Sequence, residues 1–247
     1  METLNSTFNN TKLSVNINKL ATIRNARGGN NPDILAFARK IESYGAHGIT
    51  IHPRPDQRHI RRDDVYQLKN TVTTELNIEG YPSRDFIDMV LEIRPGQVTL
   101  VPDAPDAITS NNGWDTIRNM DFLKEIITEF RQKKIRTSIF LNPDPVFVEP
   151  AARTGADRIE LYTESYASGY RKNKEMAIEP YIQTAKAAQK ANLGLNAGHD
   201  LDLHNLHYFY MNVPGLLEVS IGHALICDAL EFGMANTVKM YLNQLKP

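Results

Sequence analysis

The sequence predicts an α/β fold, a single (β/α)8 barrel of the TIM type with extra helical segments, and three observations predict it. Short apolar, β-branched runs recur eight times along the 247 residues, each is followed by a longer amphipathic stretch, and no Pro/Gly linker or shift in composition divides the chain. Strict strand–helix alternation calls for parallel strands joined by crossovers. An open doubly wound sheet would satisfy the same alternation, but eight successive units of about 30 residues favour closure into a barrel. The expected organisation is a frayed tail over residues 1–12 and a barrel over residues 13–247.

The strand-like runs are 13–17, 48–52, 75–79, 97–101, 136–141, 158–162, 194–197 and 217–221. Helical patterns occupy 32–44, 62–73, 83–93, 120–134, 143–154, 175–192 and 202–212, with 223–245 closing the chain. Pro32 and Pro82 sit where helices begin, and Gly45 and Gly155 where helices end. The longest irregular stretches are 102–114 and 166–174. Both follow strands, on the face where such barrels carry their chemistry. Trp114 fits either a cover over that face or the core, whereas Cys227, among apolar neighbours in the last helical stretch, is expected to be packed inside.

Composition narrows the function classes. With 41% hydrophobic and 23% charged residues, the chain matches ordinary globular proteins able to bury a sizeable core. A formal net charge of −1 leaves no basic surplus for nucleic acid. No apolar run approaches the ~20 residues that span a bilayer. A lone cysteine cannot form an internal disulfide, so a reducing compartment is expected. Residues 1–12 lack the apolar stretch of a signal peptide, so the sequons Asn5-Ser6-Thr7 and Asn9-Asn10-Thr11 read as chance matches and the expected location is the cytoplasm.

The polar residues at strand C-termini are the functional signal. Asn16 and Asn18 end the first run, His52 and Arg54 the second and Glu79 the third; Glu160 lies in the sixth, Asn196 and His199 follow the seventh, and Gly222-His223 follow the eighth. Distant in sequence, these positions converge in a barrel on one pocket. One strand-end histidine would be unremarkable, but two carboxylates and three histidines supply several groups able to exchange protons near neutral pH. Gly222-His223 leads into the last helix, where helix amides commonly hold phosphate. Arg27-Gly28-Gly29, Arg54 and Arg58-His59 add cationic donors suited to phosphate oxygens. Arg58, Arg61 and Arg62 fit equally a solvated face beside Asp63 and Asp64.

The segments VNINKLATIRNARGG (15–29), GITIHPRPDQRHI (48–60), NIEG (77–80), IELYT (159–163), NAGHDL (196–201) and IGHALI (221–226) resemble the pyridoxine 5′-phosphate synthase family, in consistent order from about residue 13 to 245. The resemblance implies a ring-closing condensation of 1-deoxy-D-xylulose 5-phosphate with 3-amino-2-oxopropyl phosphate, without metal or other cofactor, in an octamer of barrels. It implies that His52 and Glu79 accept protons, that His199 donates one, and that Glu160 steadies charged intermediates. Arg54, His59 and Thr109 would hold the deoxyxylulose phosphate, and Asn16, Arg27, Gly222 and His223 the amino-ketone phosphate. The segment 102–114 resembles the family's mobile lid.

The chain departs from the family pattern at Asn18-Lys19, where Asp-His is usual, at Asp200, where Gly is usual, and at Tyr162 and Glu164, where His and Gly are usual. Asn18, Lys19 and Asp200 are therefore counted with the substrate-binding residues. Their opposite charge changes predict that Lys19 and Asp200 pair across the mouth or jointly orient a substrate phosphate; the alternative is that both point into solvent.

Two other functions compete. His52, Glu79, Glu160 and His199 could, as a bare list, ligate the divalent ion of a sugar-phosphate isomerase or lyase, although no HExxH-like spacing supports it. A non-catalytic phosphate-binding barrel would leave so many acid/base groups unexplained.

Overall fold

The computed structural model describes residues 10–103 and 112–247. Eight parallel strands close into a barrel in sequence order: β1 (Lys12–Asn16), β2 (Gly48–Ile51), β3 (Glu75–Gly80), β4 (Gln97–Leu100), β5 (Arg136–Leu141), β6 (Arg158–Tyr162), β7 (Gly194–His199) and β8 (Leu216–Ile221). β8 pairs back onto β1, with Leu13 opposite Val219. The described helices are α1 (Asn18–Arg27), α2 (Ile34–Ser43), α3 (Arg62–Thr71), α4 (Arg84–Ile93), α5 (Met120–Gln132), α6 (Val148–Arg153), α7 (Glu164–Tyr170), α8 (Lys174–Lys190), α9 (Leu206–Asn212), α10 (His223–Phe232) and α11 (Met234–Gln244).

The barrel wall separates two environments. One residue in two along the strands, such as Leu13, Val15, Ile49, Ile51, Ile78, Val98, Ile139, Leu141, Ile159 and Val219, is apolar and fully buried against the surrounding helices. The alternate residues face each other inside the barrel and are mostly polar, Phe140 at the cavity being an apolar exception. Ser14 meets Thr50 at 2.7 Å, Asn77 donates to Thr50 at 3.4 Å, and Thr99 lies 3.2 Å from Asn77 and 3.3 Å from Glu160. A lower tier joins Arg136 to Gln97 (3.0 Å) and Glu75, and Arg158 to Asn196 (3.0 Å) and Glu218 (3.4 Å). Branched aliphatic side chains usually fill such an interior, so the apolar core here lies mainly between barrel and helices.

Several ends follow the sequence signals. Ser83 caps α4 on the Phe86 amide at 3.3 Å, and Asp33 caps α2 on Ala36 at 2.9 Å. Gly45 (φ 107°) and Gly155 (φ 87°) stop α2 and α6 in a backbone region that favours glycine. β1 opens at Lys12, and Thr11 is already tied to the Leu216 carbonyl at 2.7 Å.

Other expectations are corrected. The pattern over 223–245 is two helices, because Gly233, at φ 74°, breaks the chain between α10 and α11. The stretch 166–174 is helical as far as Tyr170: the buried Tyr166 ring packs edge-on against Tyr181 and Phe209 and its hydroxyl donates to Asn205 O, which anchors α7 despite its Gly and Ser content. Cys227 is exposed on α10 rather than packed inside. Asn196 lies within β7, below the strand end, bound to the lower tier. Trp114 belongs to the core: it is 5% exposed, and its indole N–H donates to Leu100 O at 3.0 Å.

α1 was not foreseen, and its packing explains why. A guanidinium occupies a core-facing position: Arg24 is 1% exposed and holds both Asp64 oxygens, at 2.6 and 2.8 Å, while donating to His59 O at 3.1 Å. Asp64 in turn accepts from the Arg61 amide at 2.7 Å. This fork ties the loops after β1 and β2 together. Removing one partner of a buried pair strands the other charge, so Asp64→Ala should lower folding stability by about 3–5 kcal/mol. Urea denaturation would measure it, and a loss no larger than that of an exposed ion pair would contradict this role.

Candidate active site

The C-terminal ends of the strands open into a cavity of about 520 Å³. Of the predicted residues, Asn16, Asn18, Lys19, His52, Arg54, His59, Glu79, Glu160, His199, Asp200, Gly222 and His223 line it. Arg27 is not among the lining residues and sits exposed at the end of α1. Thr109 lies outside the described residues. Arg58, which the sequence left equally as a phosphate donor or part of a solvated face, is on the wall. Sequence reasoning did not assign Thr22, Val101, Phe140 and Ser220 to it; as single apolar or hydroxyl residues they give no signal of their own.

The floor is a carboxyl–imidazole group built by β1, β2, β3 and β6. Glu79, from β3, has one oxygen 3.9 Å from His52 Nδ1 and accepts from Asn16 Nδ2 at 3.4 Å. Asn16 accepts from the Asn18 amide (3.0 Å), and Asn18 Oδ1 accepts from the His52 amide (2.9 Å). Asn18 therefore links the first loop to His52. Burial, reinforced by the charges of Glu160 and Asp103, pushes the Glu79 carboxyl well above the usual carboxylate range. Burial also pushes Glu160 up to about 7, against the opposing effects of the Thr99 hydrogen bond and His199. His52 is held well below the ordinary imidazole value, first by burial and then by Arg54, His59 and Arg58. The floor thus combines carboxyls raised above their ordinary range with an imidazole held below its own.

His199 closes the opposite wall at the end of β7. Its ring stands edge-on to Tyr162, with centroids 5.0 Å apart, and its Nδ1 lies 2.5 Å from Asp200 Oδ2. The expected Lys19–Asp200 pair is overturned: no ion pair between them occurs among the described residues, and the carboxylate is turned to the histidine. Gly198, beside it, has no room for a side chain, since a Cβ would stand 2.6 Å from Glu160 Oε1.

The cationic groups gather on one side of the mouth. Arg54 is buried and paired with Asp103 at 2.6 Å, a partner that sequence reasoning did not find. Arg58 pairs with Asp56 at 2.7 Å, and Arg62 with Asp85 at 2.7 Å away from the cavity wall. His59 is pulled down to about 4 by burial and by Arg54, Arg58 and Lys19. At the other side α10 begins at Gly222-His223; a Cβ on Gly222 would come 3.0 Å from that of Asn16, so glycine permits this close approach. Among the described residues, no group of three or more His, Cys, Asp or Glu side chains is placed to hold a metal ion.

Fold and pocket together define a (β/α)8-barrel enzyme of the general acid–base kind. The chain belongs to the PdxJ family of pyridoxal phosphate biosynthesis proteins, which it matches over residues 13–247. It is 62% identical over 236 residues to the pyridoxine 5′-phosphate synthase of Cytophaga hutchinsonii, covering 96% of this chain and 99% of that protein. It is 59% identical over 236 residues to the pyridoxine 5′-phosphate synthase of Bacteroides thetaiotaomicron, covering 96% and 100%. Among solved structures, it is similar in fold to tryptophan synthase of Mycobacterium tuberculosis (TM-score 0.65, 9% identity, 96% of this chain and 93% of that one). The same holds for phosphoribosylanthranilate isomerase of Thermotoga maritima (TM-score 0.59, 14% identity, 95% and 98%).

The raised Glu160 carboxyl has a consequence for stability. The folded protein keeps on Glu160 a proton that the unfolded chain loses above its ordinary 4.5, so this group makes stability fall as pH rises from 4.5 to about 7. Glu160→Gln cannot ionise and should flatten that part of the slope. Urea midpoints of both proteins across this range test it; parallel slopes would show that Glu160 is not raised.

Proposed function

We propose that this pocket condenses 1-deoxy-D-xylulose 5-phosphate with 3-amino-2-oxopropyl phosphate to give pyridoxine 5′-phosphate, inorganic phosphate and water, the activity of a pyridoxine 5′-phosphate synthase. The observation that carries the reading is the convergence on one cavity of buried carboxyls raised above their ordinary range and a buried imidazole held below its own, in a chain about 60% identical to synthases over nearly its full length. The amine of one substrate attacks the ketone of the other, water leaves to form a Schiff base, phosphate is eliminated, and further dehydration accompanies ring closure, so that one phosphate and two molecules of water are released in all. Each stage moves a proton, so one acid/base group would not suffice.

His52, kept neutral, is suited to accept a proton at neutral pH. Burial raises the Glu79 carboxyl, so it binds a proton more readily than an exposed one, and the substrate's ammonium or a protonated imine would favour its carboxylate form. His199 is assigned the donor's role, and Glu160 that of steadying cationic intermediates. Arg54 and His59, with Thr109, are assigned to the deoxyxylulose phosphate. Asn16, Gly222 and His223 are assigned to the amino-ketone phosphate, and the resemblance adds Arg27 to that group. Asn18 and Lys19 complete the wall between the two. A cytoplasmic location and an octamer of barrels belong to the same reading; no helix among the described residues is long and apolar enough to cross a membrane.

Incubating the purified protein with both phosphorylated substrates should produce the absorbance of the pyridine product, with no loss of rate after chelation. A rate abolished by chelation and restored by a divalent ion would favour the isomerase or lyase alternative. Glu79→Gln preserves shape but cannot accept the proton, and should lower kcat by about 10²–10⁴-fold. Near-normal turnover in that variant would remove Glu79 from the mechanism.

A further inference from the structure

His199 is the last residue of β7 and has φ 108°, a conformation that residues with side chains rarely adopt. Along a regular strand, consecutive side chains point to opposite faces. The turn at His199 breaks that alternation, so His199 and Asp200 both line the cavity and their side chains meet at 2.5 Å. The backbone around them is pinned. Thr163 is fully buried; its amide and hydroxyl both donate to Gly198 O (3.1 and 2.7 Å), and its Oγ1 lies 3.3 Å from the Asp200 amide. Asn205 Nδ2 donates to Asp200 O at 3.3 Å. With both peptide groups of Asp200 bound, its carboxylate is aimed at Nδ1 of the histidine.

We propose that Asp200 is a positioning residue for His199: it holds the imidazole in the tautomer with hydrogen on Nδ1 and turns Nε2 toward the substrates. A carboxylate only accepts hydrogen bonds, so the Nδ1 facing it carries the hydrogen and Nε2 is the atom that passes a proton. When His199 is protonated, the same carboxylate stabilises the imidazolium. The inference rests on the synthase reading in one respect, that His199 gives up a proton during turnover. It assigns Asp200 a role through the histidine, in place of a charge partner for Lys19 or a contact to phosphate.

The test uses Asp200→Asn and Asp200→Gly in the full chain, with circular dichroism to establish folding. Either should lower kcat by about 10- to 100-fold with little change in KM for either phosphate, less than the roughly 10⁴-fold that a fully buried carboxylate–histidine pair is worth. In a His199→Asn background, neither substitution should cause a further loss, because the residue acts only through the histidine. At a pH high enough to leave the imidazole uncharged, 15N NMR of the unliganded protein should show the His199 ring as one tautomer with hydrogen on Nδ1, and as a mixture in Asp200→Asn. An effect confined to KM, a full additional loss in the His199→Asn background, or an unchanged 15N signature would each overturn the proposal. The NMR measurement needs no turnover. A wild-type protein that made no product would therefore overturn the synthase reading and leave the tautomer to be judged by its own spectrum.

Discussion

A closed parallel barrel with a period of two residues along each strand is the constraint on which everything else here depends. Closure leaves no free edge, so each strand residue faces either the helices or the barrel axis, and a slip of one residue would exchange the two sets. In this chain the outward set is mainly aliphatic and the inward set mainly polar. The register that seals Val15, Ile49 and Val219 against the helices is therefore the one that stacks Ser14, Thr50, Asn77 and Thr99 inside. Burial of the aliphatic set stabilises the wall, and satisfaction of the polar set within its own network removes most of the cost of enclosing it.

The polar interior sets the electrostatics of the cavity above it. Glu160 is the top of the column that begins at Thr50, and it is enclosed enough to retain a proton that an exposed carboxyl would shed. Glu79 and His52 are displaced in opposite directions by the same enclosure, the carboxyl upward and the imidazole downward, because burial disfavours charge of either sign. Neighbouring charges refine this. Asp103 neutralises Arg54 on the wall, and the Arg24–Asp64 fork fixes the His59 loop through a backbone carbonyl.

The strands were legible because each has an aliphatic face, and the floor of the site because its residues sit at strand ends whose positions the fold defines. Glu79, His52, Glu160 and His199 converge for that reason alone. α1 was illegible because Arg24 occupies a position where periodicity demands an apolar residue, and its carboxylate partner is 40 residues away. Asp103 as the partner of Arg54 was hidden by a separation of 49 residues. The direction of Asp200 depends on one backbone angle at His199, which nothing in the residue types announces. Cys227 has apolar neighbours in sequence, but its own face of α10 is turned to solvent.

Trp114 is the only tryptophan of the chain. It stacks on Tyr81, centroids 6.0 Å apart, and Tyr81 directly follows the strand that carries Glu79. Its amide is bound to Phe140 O and its indole N–H to Leu100 O, so the ring is clamped between β4 and β5. The protein therefore carries a single indole, bound to the backbone of Phe140 in the wall of the cavity. Emission from that indole is an intrinsic optical report on the cavity's surroundings, and it needs neither a label nor an engineered chromophore.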